Sequence, residues 1–370
     1  MPPVTIVLYG ATGYTGRLVT GELARRGLDH VLSGRDPEKL ARLAGAPARA
    51  APLDDDRALR ELLEGATAVI NCAGPFTLAG DAIARAAVAT RTHYVDSTGE
   101  QSFIRMIFDR HGQAAERAGV ALLPALGFDY AFGDCIARLA ARDLEPLDEL
   151  TVAYSVEGFG MTRGTLRSGL EMMKGGDVVY EDEQWKPAPR GVFKASFDFP
   201  EPIGRQPMSR YPAGEVITVP HHTRTRKVTA LLTLGTMAPR PLAPVLPYTM
   251  PGLALTLRTP LRGLLNRAVR LLREGPKEED RRAARYTIVA RAQASGGRRQ
   301  GVVRGSDVYG TTAVTLVHAA ELLSAPGFDR AGGLGPGAAF DPAAFLDHTG
   351  VSWELDRPKP VPPAEPRASG

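Results

Sequence analysis

The chain has 370 residues, of which 44% are hydrophobic and 23% charged, a composition typical of a globular protein long enough for two domains. The formal net charge of +4 is too small and too spread out to favour a nucleic-acid-binding protein, although it suits an anionic ligand. Two cysteines, Cys72 and Cys135, indicate a reducing compartment, and with neither a secretory leader nor a membrane span expected, we predict a cytoplasmic protein.

The first third of the chain alternates between short apolar runs and amphipathic segments. The runs predict strands at 4–9, 31–32, 50–53, 68–73, 93–96 and 120–123. The segments between them predict helices at 17–26, 37–43, 56–63, 81–90 and 104–118. This strict alternation predicts the α/β class, with a Rossmann, doubly wound parallel sheet.

The alternation stops near residue 130. We therefore predict a Rossmann domain over 1–130, a second α+β domain with a mainly antiparallel sheet over 131–355, and a disordered tail over 356–370. Strands are expected at 150–156, 216–219, 229–234, 286–292 and 301–304. Helices are expected at 134–142, with Asp134 as N-cap, and at 311–323. We expect the segment 305–330 to pack back on the Rossmann domain.

A glycine-rich turn joins the first predicted strand to the first predicted helix. It comprises Gly10, Thr12, Gly13, Tyr14, Thr15 and Gly16, with the spacing G-x-x-G-x-x-G. Glycine lets a backbone turn sharply and approach a pyrophosphate closely, and the N–H groups at a helix N-terminus bind the anion. The turn therefore predicts a dinucleotide site, although the spacing is a variant of the usual one.

The end of the second strand distinguishes NAD from NADP. An acidic residue there would bind the ribose 2′-hydroxyl group of NAD. This chain has Ser33, Gly34 and Arg35 instead, and a guanidinium and a hydroxyl can bind a 2′-phosphate. The sequence therefore favours NADP as the cofactor.

The ends of three later strands complete the predicted cofactor site. Asp54 follows the third strand and is expected near the adenine. Mostly small residues lie at the carboxyl ends of the fourth and fifth strands, where the backbone would pass close to the nicotinamide ribose. They are Cys72, Ala73, Gly74, Pro75, Phe76, Thr98 and Gly99. No metal site is predicted, because the adjacent His221 and His222 would point to opposite faces of a strand.

Four segments together resemble a known family. They are V-L-Y-G-A-T-G-Y-T-G from Val7, S-G-R at Ser33, N-C-A-G-P-F from Asn71 and H-Y-V-D-S-T-G-E from His93. These motifs are similar to the saccharopine dehydrogenase-like oxidoreductases, and most of all to the trans-acting enoyl reductases of actinobacterial lipid biosynthesis. The resemblance implies an NADP-binding domain, hydride transfer to a polarised C=C or C=N bond, and a homodimer. At Tyr130 and Phe132 the chain departs from the family pattern.

Reduction of such a bond also needs a proton. Tyr130 is the first candidate donor, because its phenolic O–H follows the sixth strand at the domain junction. Asp129 and Asp134 are alternatives, as is solvent. Each could instead be a residue that only packs or caps.

A predicted basic amphipathic helix spans 261–273, with leucines on one face and arginines on the rest. It could line a channel for a lipid-like or other small-molecule substrate, contact a membrane peripherally, or bind an acidic carrier protein. It could equally pack within the protein or at a dimer interface.

Two other functions stay open at this point. An amino-acid-linked imine reductase would need basic residues such as Arg163, Arg167 and Arg224 to bind two carboxylates. A non-catalytic NADP-binding protein would keep the fold without the reaction.

Overall fold

The computed structural model describes residues 5–359, except 44, 173–175, 190, 192, 194, 238–268 and 270. The predicted basic helix at 261–273 lies almost entirely outside the described residues, as do residues 360–370 of the predicted tail. Its contact with a membrane or carrier protein, and the homodimer, therefore stay predictions. Within the described ranges, no helix has both the length and the apolar character that a membrane crossing needs.

A seven-stranded parallel sheet forms the centre of the first domain. In chain order its strands are β1 (Ile6–Tyr9), β2 (His30–Gly34), β3 (Ala48–Ala50), β4 (Ala68–Asn71), β5 (His93–Asp96), β6 (Ala121–Leu123) and, much later, β15 (Gly332–Gly333). Their spatial order is β15-β6-β5-β4-β1-β2-β3. The order reverses between β1 and β4, and in open α/β sheets ligands bind beyond the carboxyl ends of strands at this reversal.

Helices cover both faces of this sheet. They are α1 (Tyr14–Arg25), α2 (Pro37–Leu40), α3 (Asp56–Leu63), α4 (Phe76–Thr90), α5 (Gln101–Met106), α6 (Gly112–Ala118) and α7 (Phe128–Ala141), with a π-helical segment, Ile107–His111, between α5 and α6. Alternate residues of β1 lie in different hydrophobic cores, Leu8 in one and Val7 in the other. Burial on both faces confirms the predicted doubly wound sheet.

A second, mixed sheet lies in the rest of the chain. Its strands are β7 (Glu149–Glu157), β8 (Val178–Glu181), β9 (Gln184–Pro187), β10 (Ala195–Asp198), β11 (Arg205–Arg210), β12 (Lys227–Thr233), β13 (Arg285–Ala294), β14 (Gly297–Ser306) and β16 (Ser352–Leu355). The main order is β10-β11-β12-β7-β13-β14-β16, while β8 pairs with β12 and β9. Only the β7–β12 pair of these described strands is parallel, so the predicted mainly antiparallel second sheet is confirmed.

Two helices join the two sheets. The later helices are α8 (Arg163–Met172), α9 (Glu215–Thr218), α10 (Leu234–Met237), α11 (Glu278–Ala283), α12 (Val308–Ser324), α13 (Pro336–Ala339) and α14 (Pro342–His348). Helix α12 packs on α1, β4 and β5 of the first sheet, and α7 packs on β13 and β14 of the second. The chain therefore returns to the first sheet after building the second one.

Helix α7 corrects the sequence prediction at its start. It begins at Phe128 rather than at residue 134, so the domain boundary predicted at 130 falls inside a helix. Its first turns are buried almost all round, which removes the amphipathic period that would mark them. Asp134 is not an N-cap: its carboxylate accepts hydrogen bonds from the Thr218 hydroxyl at 2.5 Å and the Gly337 N–H at 2.8 Å.

The strand predicted at 216–219 is wrong, because these residues lie in α9 and in the 3₁₀ turn Val219–His221. The N–H groups of Ile217 and Thr218 donate to the Gly214 carbonyl at 2.8 and 2.9 Å. A four-residue apolar run has no period that separates helix from strand, and Pro220 offers no N–H to a strand ladder. The third strand is also displaced, to Ala48–Ala50, because it ends where Ala50 pairs with Gly34.

Two histidines stack where α12 meets α14. The rings of His318 and His348 are 3.6 Å apart between centroids, and a guanidinium nitrogen of Arg26 lies 3.1 Å from His348 Nε2. Burial, followed by the proximity of His348 and Arg26, lowers the pKa of His318 from 6.5 to about 3. The folded protein therefore holds this ring neutral.

We predict that His318→Phe flattens the acid dependence of stability. Because unfolding returns the His318 pKa to 6.5, the unfolded chain binds more protons as pH falls toward 3. The free energy of unfolding of the original protein should fall through this range by at most ~1.4 kcal/mol per pH unit from this group. Urea denaturation of both proteins across the range measures the difference, and equal slopes would contradict the assignment.

Candidate functional site

The glycine-rich turn lies at the carboxyl end of β1. Gly10 has a φ of +86°, its N–H donates to the Ser33 carbonyl at 2.8 Å, and a Cβ atom there would lie 2.9 Å from the Ala73 nitrogen. A Cβ on Gly16 would overlap the Gly10 carbonyl. Gly13 precedes α1, whose first turn has neither a side-chain cap nor an acidic residue. These features leave backbone N–H groups available to an anion.

Neighbouring side chains hold this turn from outside. The Tyr14 hydroxyl donates to the Pro276 carbonyl at 3.0 Å. Arg17 donates to the Thr12 carbonyl at 2.7 Å and forms a two-point contact with Glu274, at 3.1 and 2.8 Å. The turn and α1 are therefore tied to the segment that follows the undescribed residues.

At the end of β2 the three predicted residues differ in role. The Ser33 hydroxyl is buried and donates to the Arg49 carbonyl at 2.7 Å, and its contact with the 2′-phosphate stays a prediction. Gly34 ends the strand. Arg35 is exposed and makes no hydrogen bond or ion pair within the described part of the chain. Asp36 instead caps α2, its side chain accepting from Lys39 N at 3.1 Å.

Arg35 and Asp54 both lie close to Tyr9. Burial raises the Tyr9 pKa to about 12, while the nearby charge of Arg35 lowers it and that of Asp54 raises it. The Tyr9 hydroxyl donates to the Ala51 carbonyl at 2.7 Å. Arg35 and Asp54 therefore share the outer end of the crevice, where an adenosine half would lie.

A buried carboxylate organises the turn after β4. Glu100 accepts hydrogen bonds from the Phe76 and Thr77 N–H groups, both at 2.8 Å, and thereby caps α4. It also accepts from the hydroxyls of Thr77 at 2.6 Å and Ser168 at 2.7 Å. The sequence analysis did not single out Glu100, although it ends the H-Y-V-D-S-T-G-E motif.

The β5 end is also held by an acidic side chain. Asp96 Oδ1 accepts from the N–H groups of Thr98 and Ala125 at 2.8 and 3.0 Å. Burial raises the Asp96 pKa to about 7. Burial also raises the pKa of the Cys72 thiol above its ordinary value, which argues against a nucleophilic role for that cysteine.

A cavity of about 890 Å³ opens at these strand ends. On the first sheet it is lined by Thr15, Cys72, Gly74, Phe76, Ser97 and Gly99. It continues along α8 and the second sheet, where its walls are mainly apolar and include Leu166, Leu170, Tyr154, Val156, Ala230 and Leu232. The predicted nucleotide crevice and the face of the second sheet therefore share one space.

Three tyrosines and two carboxyl groups cluster beside Gly99. The Tyr130 hydroxyl lies 3.4 Å from the Gly99 carbonyl, and its ring centroid is 5.8 Å from that of Tyr211 and 6.4 Å from that of Tyr154. Asp129, Tyr154 and Tyr211 line the cavity, whereas Tyr130 lies behind them. Glu215 is fully buried, and its carboxyl accepts a short hydrogen bond from the Tyr154 hydroxyl.

Burial gives the carboxyl groups of Asp129 and Glu215 different pKa values. It raises the Asp129 pKa to about 6, and backbone N–H groups partly offset the effect. It raises the Glu215 pKa well above its ordinary value. The pKa of Tyr130 is likewise raised well above its ordinary value by burial. The cluster therefore holds one carboxyl that ionises more readily than the other.

Comparison with known proteins addresses the first domain most directly. Residues 6–123 match the family described as the saccharopine dehydrogenase NADP binding domain. The first domain of this chain is therefore similar to the NADP-binding domains of that family. The expected NADP cofactor is therefore confirmed at the level of the domain, and the NADP-binding domain supplies the crevice described above.

Two curated relatives match part of the chain. A Bos taurus protein named saccharopine dehydrogenase-like oxidoreductase is 27% identical over 196 residues, which are 45% of this chain and 46% of that protein. A Mycobacterium tuberculosis (strain ATCC 25618 / H37Rv) protein named as a trans-acting enoyl reductase is 34% identical over 185 residues, 45% of this chain and 44% of that protein. The chain thus spans less than half the length of these relatives.

A solved structure has the same overall fold. Apo saccharopine dehydrogenase (L-Glu forming) from Saccharomyces cerevisiae superposes with a TM-score of 0.61, covering 95% of this chain and 99% of that one. The sequences are only 13% identical, so the likeness concerns the fold alone. It supports the pairing of an NADP-binding domain with a second sheet.

The predicted residues occupy different places around the NADP-binding domain. Thr15, Cys72, Gly74, Phe76, Gly99 and Asp129 line the cavity, whereas Arg35 and Asp54 lie near Tyr9 and are not among the described lining residues. Thr98 is buried, and its hydroxyl accepts from the Glu100 N–H at 3.0 Å. Tyr154, Tyr211 and Glu215 were not anticipated, because they come from distant segments that meet only in the folded chain.

One group of side chains within the described ranges has ligand atoms close enough together for a metal ion: His318, Glu321 and His348, within 4.8 Å of one another. Arg26 donates a short hydrogen bond to Glu321 and also contacts His348. A guanidinium thus already fills the place between these ligands, and the stacked rings do not converge on one point.

We predict that Arg35→Ala selectively weakens NADPH binding. A guanidinium–phosphate contact contributes about 1.5–3 kcal/mol, so the Kd for NADPH should rise at least ~10-fold while that for NADH stays unchanged. Calorimetric titration of the original protein, this variant and the control Arg60→Ala, which removes an exposed arginine from α3, measures the effect. Equal losses for both nucleotides, or none, would remove Arg35 from the phosphate site.

Proposed function

We propose that this protein reduces the carbon–carbon double bond of an apolar α,β-unsaturated carbonyl compound by hydride transfer from NADPH. The observation that carries the proposal is the cavity, which runs without interruption from the carboxyl ends of β4 and β5 to an apolar wall on β7 and β12. A chain-like substrate could fill that wall while its reactive end lies at the nucleotide crevice.

The charges in the cavity favour this substrate class over a dicarboxylate. Its described cationic lining residues are Arg210 and Lys227. The Arg210 guanidinium lies over the Phe193 ring at 4.6 Å and donates to the Pro189 carbonyl, while Lys227 lies 3.2 Å from Glu149. Both cations therefore already have partners within the protein.

The arginines that an imine reductase would need lie elsewhere. Arg224 is largely exposed and lies 3.9 Å from Glu145, and it is not among the described residues that line the cavity. Arg163 and Arg167 belong to α8, and neither is among the described residues that line the cavity. This distribution supports C=C reduction over reduction of an amino-acid-linked imine.

The residues of the NADP-binding domain fit the cofactor. Backbone N–H groups at the start of α1 suit the pyrophosphate, and the exposed Arg35 suits the 2′-phosphate. When bound, NADPH supplies the hydride. The protein orients the two reactants, excludes water through the apolar walls and provides the proton that completes the reduction.

Of the predicted proton donors, Asp129 lines the cavity, whereas Tyr130 and Asp134 are not among the described residues that line it. With a pKa of about 6, Asp129 is mostly ionised at neutral pH and is a poor acid there. Both roles stay predictions, and the position of Tyr130 better suits packing against Tyr154 and Tyr211.

The test measures NADPH oxidation with enoyl thioesters of N-acetylcysteamine that differ only in chain length. Each buried methylene contributes about 0.8 kcal/mol, so kcat/KM should rise up to ~4-fold per methylene between crotonyl and decenoyl probes. Ala230→Phe narrows the cavity at its apolar wall. It should reduce the rise of kcat/KM with chain length and leave the Kd for NADPH and the turnover of the crotonyl probe unchanged.

Two results would contradict the proposal. Turnover of the imine formed from lysine and 2-oxoglutarate, with none of the enoyl probes, would favour the saccharopine-type reaction. Tight NADPH binding without oxidation by either class would favour a non-catalytic NADP-binding protein.

A further inference from the structure

Glu215 and Tyr154 form a buried pair at the inner wall of the cavity. Glu215 is the first residue of α9, and Tyr154 lies in the middle of β7, between β12 and β13. The Tyr154 hydroxyl donates to Glu215 Oε1. A Cβ atom on Gly133 of α7 would overlap both oxygens, so glycine at this position makes the room for the pair.

The surroundings of Glu215 disfavour a negative charge. Its other oxygen, Oε2, is buried without a hydrogen-bond partner among the described residues. The ionisable groups that face the carboxyl are Asp129, Tyr130 and Asp134 of α7, Tyr154 of β7 and Tyr211, which follows β11. These are acids or phenols, and Asp134 is itself paired with His222, whose Nε2 lies 3.0 Å from Asp134 Oδ1. Burial, together with the charges of Asp134 and Asp129, raises the Glu215 pKa well above its ordinary value against the opposing effect of the Tyr154 hydrogen bond, so the carboxyl is held protonated.

We propose that Tyr154 is the proton donor of the reduction and that Glu215 is the positioning acid that restores its proton. This inference rests on the proposed C=C reduction. Tyr154 is among the residues that line the cavity, with 1% of its surface exposed, whereas Glu215 is fully buried behind it and acts only through the phenol oxygen.

The step balances in atoms and electrons. The hydride of NADPH forms a C–H bond at the β-carbon, NADPH becomes NADP⁺, and the electrons of the double bond move toward the carbonyl as an enolate. The Tyr154 O–H bond breaks as its proton forms the C–H bond at the α-carbon. The Glu215 carboxyl then turns so that its own O–H donates to the phenolate oxygen, its proton transfers to that oxygen, and water later returns a proton to the carboxylate.

The two carboxyl groups of the cluster thereby take different roles. Asp129, with the lower pKa, carries a negative charge at neutral pH, and that charge helps to keep Glu215 neutral. Pairs of nearby acids whose surroundings push their pKa values apart commonly divide the acid and base roles in this way. Tyr211 interacts with both acids. Its hydrogen bond lowers the pKa of Asp129, while burial and then the charges of Asp129 and Glu215 raise the pKa of Tyr211.

Two variants test the pair by kinetics. Glu215→Gln keeps a hydrogen-bonding oxygen for Tyr154 but cannot donate an acid proton, and Tyr154→Phe removes the phenol oxygen. Both should lower kcat with decenoyl-N-acetylcysteamine by ~100-fold, while the Kd for NADPH changes less than about twofold. Tyr180→Phe, a buried phenol outside the cavity lining, should keep the original kcat.

The pH profile separates proton donation from mere support. In the original protein kcat should fall as pH rises through the raised Glu215 pKa, because the acid form is the active one. In Glu215→Gln the remaining kcat should no longer decrease as pH rises through this range. A residue that only stabilised the fold would lower kcat without changing the shape of the profile.

Infrared difference spectroscopy tests the protonation state without turnover. The original protein at neutral pH should show the C=O stretch of a protonated carboxyl group, and Glu215→Gln should lose that band. No such band, or a full kcat in either variant, would overturn the proposal. Failure of the original protein to oxidise NADPH with any enoyl probe would instead count against the proposed function, and it would be seen before any variant is compared.

Discussion

The carboxylate of Glu100 joins the carboxyl edge of the first sheet to helix α8. It accepts from two backbone N–H groups at the start of α4 and from the Ser168 hydroxyl of α8, all within 2.8 Å. Hydrogen-bond donors offset the cost of burying a carboxylate, since a buried charge left without partners costs several kcal/mol. The turn after β4, the position of α8 and the opening of the cavity between them all depend on these bonds.

The placement of the two sheets depends also on α7, which follows the first sheet along the chain and packs on the second. It starts beside the β5 and β6 ends and packs under β13 and β14. Its first residues bring Asp129 to the cavity, and Gly133, one turn later, leaves space for Glu215 and Tyr154. One helix therefore sets the distance between the NADP-binding domain and the acids that face it.

Local sequence signals were enough for the first domain. A glycine turn between a strand and a helix, an arginine after β2 and repeated small residues at strand ends each carry a physical requirement that a short segment can show. The same reasoning misplaced α9, where an apolar run without a period folded as a helix against Gly214. It did not anticipate that the Ser33 hydroxyl donates to the Arg49 carbonyl of the neighbouring strand. Tyr154, Tyr211 and Glu215 could not be grouped from sequence, because only tertiary packing joins them; an acidic residue beginning the apolar run at 215–219 was the one available signal.

The proposed reaction requires NADPH and an apolar enoyl substrate to meet in one cavity for direct hydride transfer. The decisive experiment traces deuterium from NADPH labelled at C4, separately on each face, into the reduced decenoyl thioester. Direct transfer should place a single deuterium at the β-carbon from one labelled form and not from the other, while the α-hydrogen comes from solvent. Deuterium that is lost to water, or that appears at the α-carbon, would contradict it.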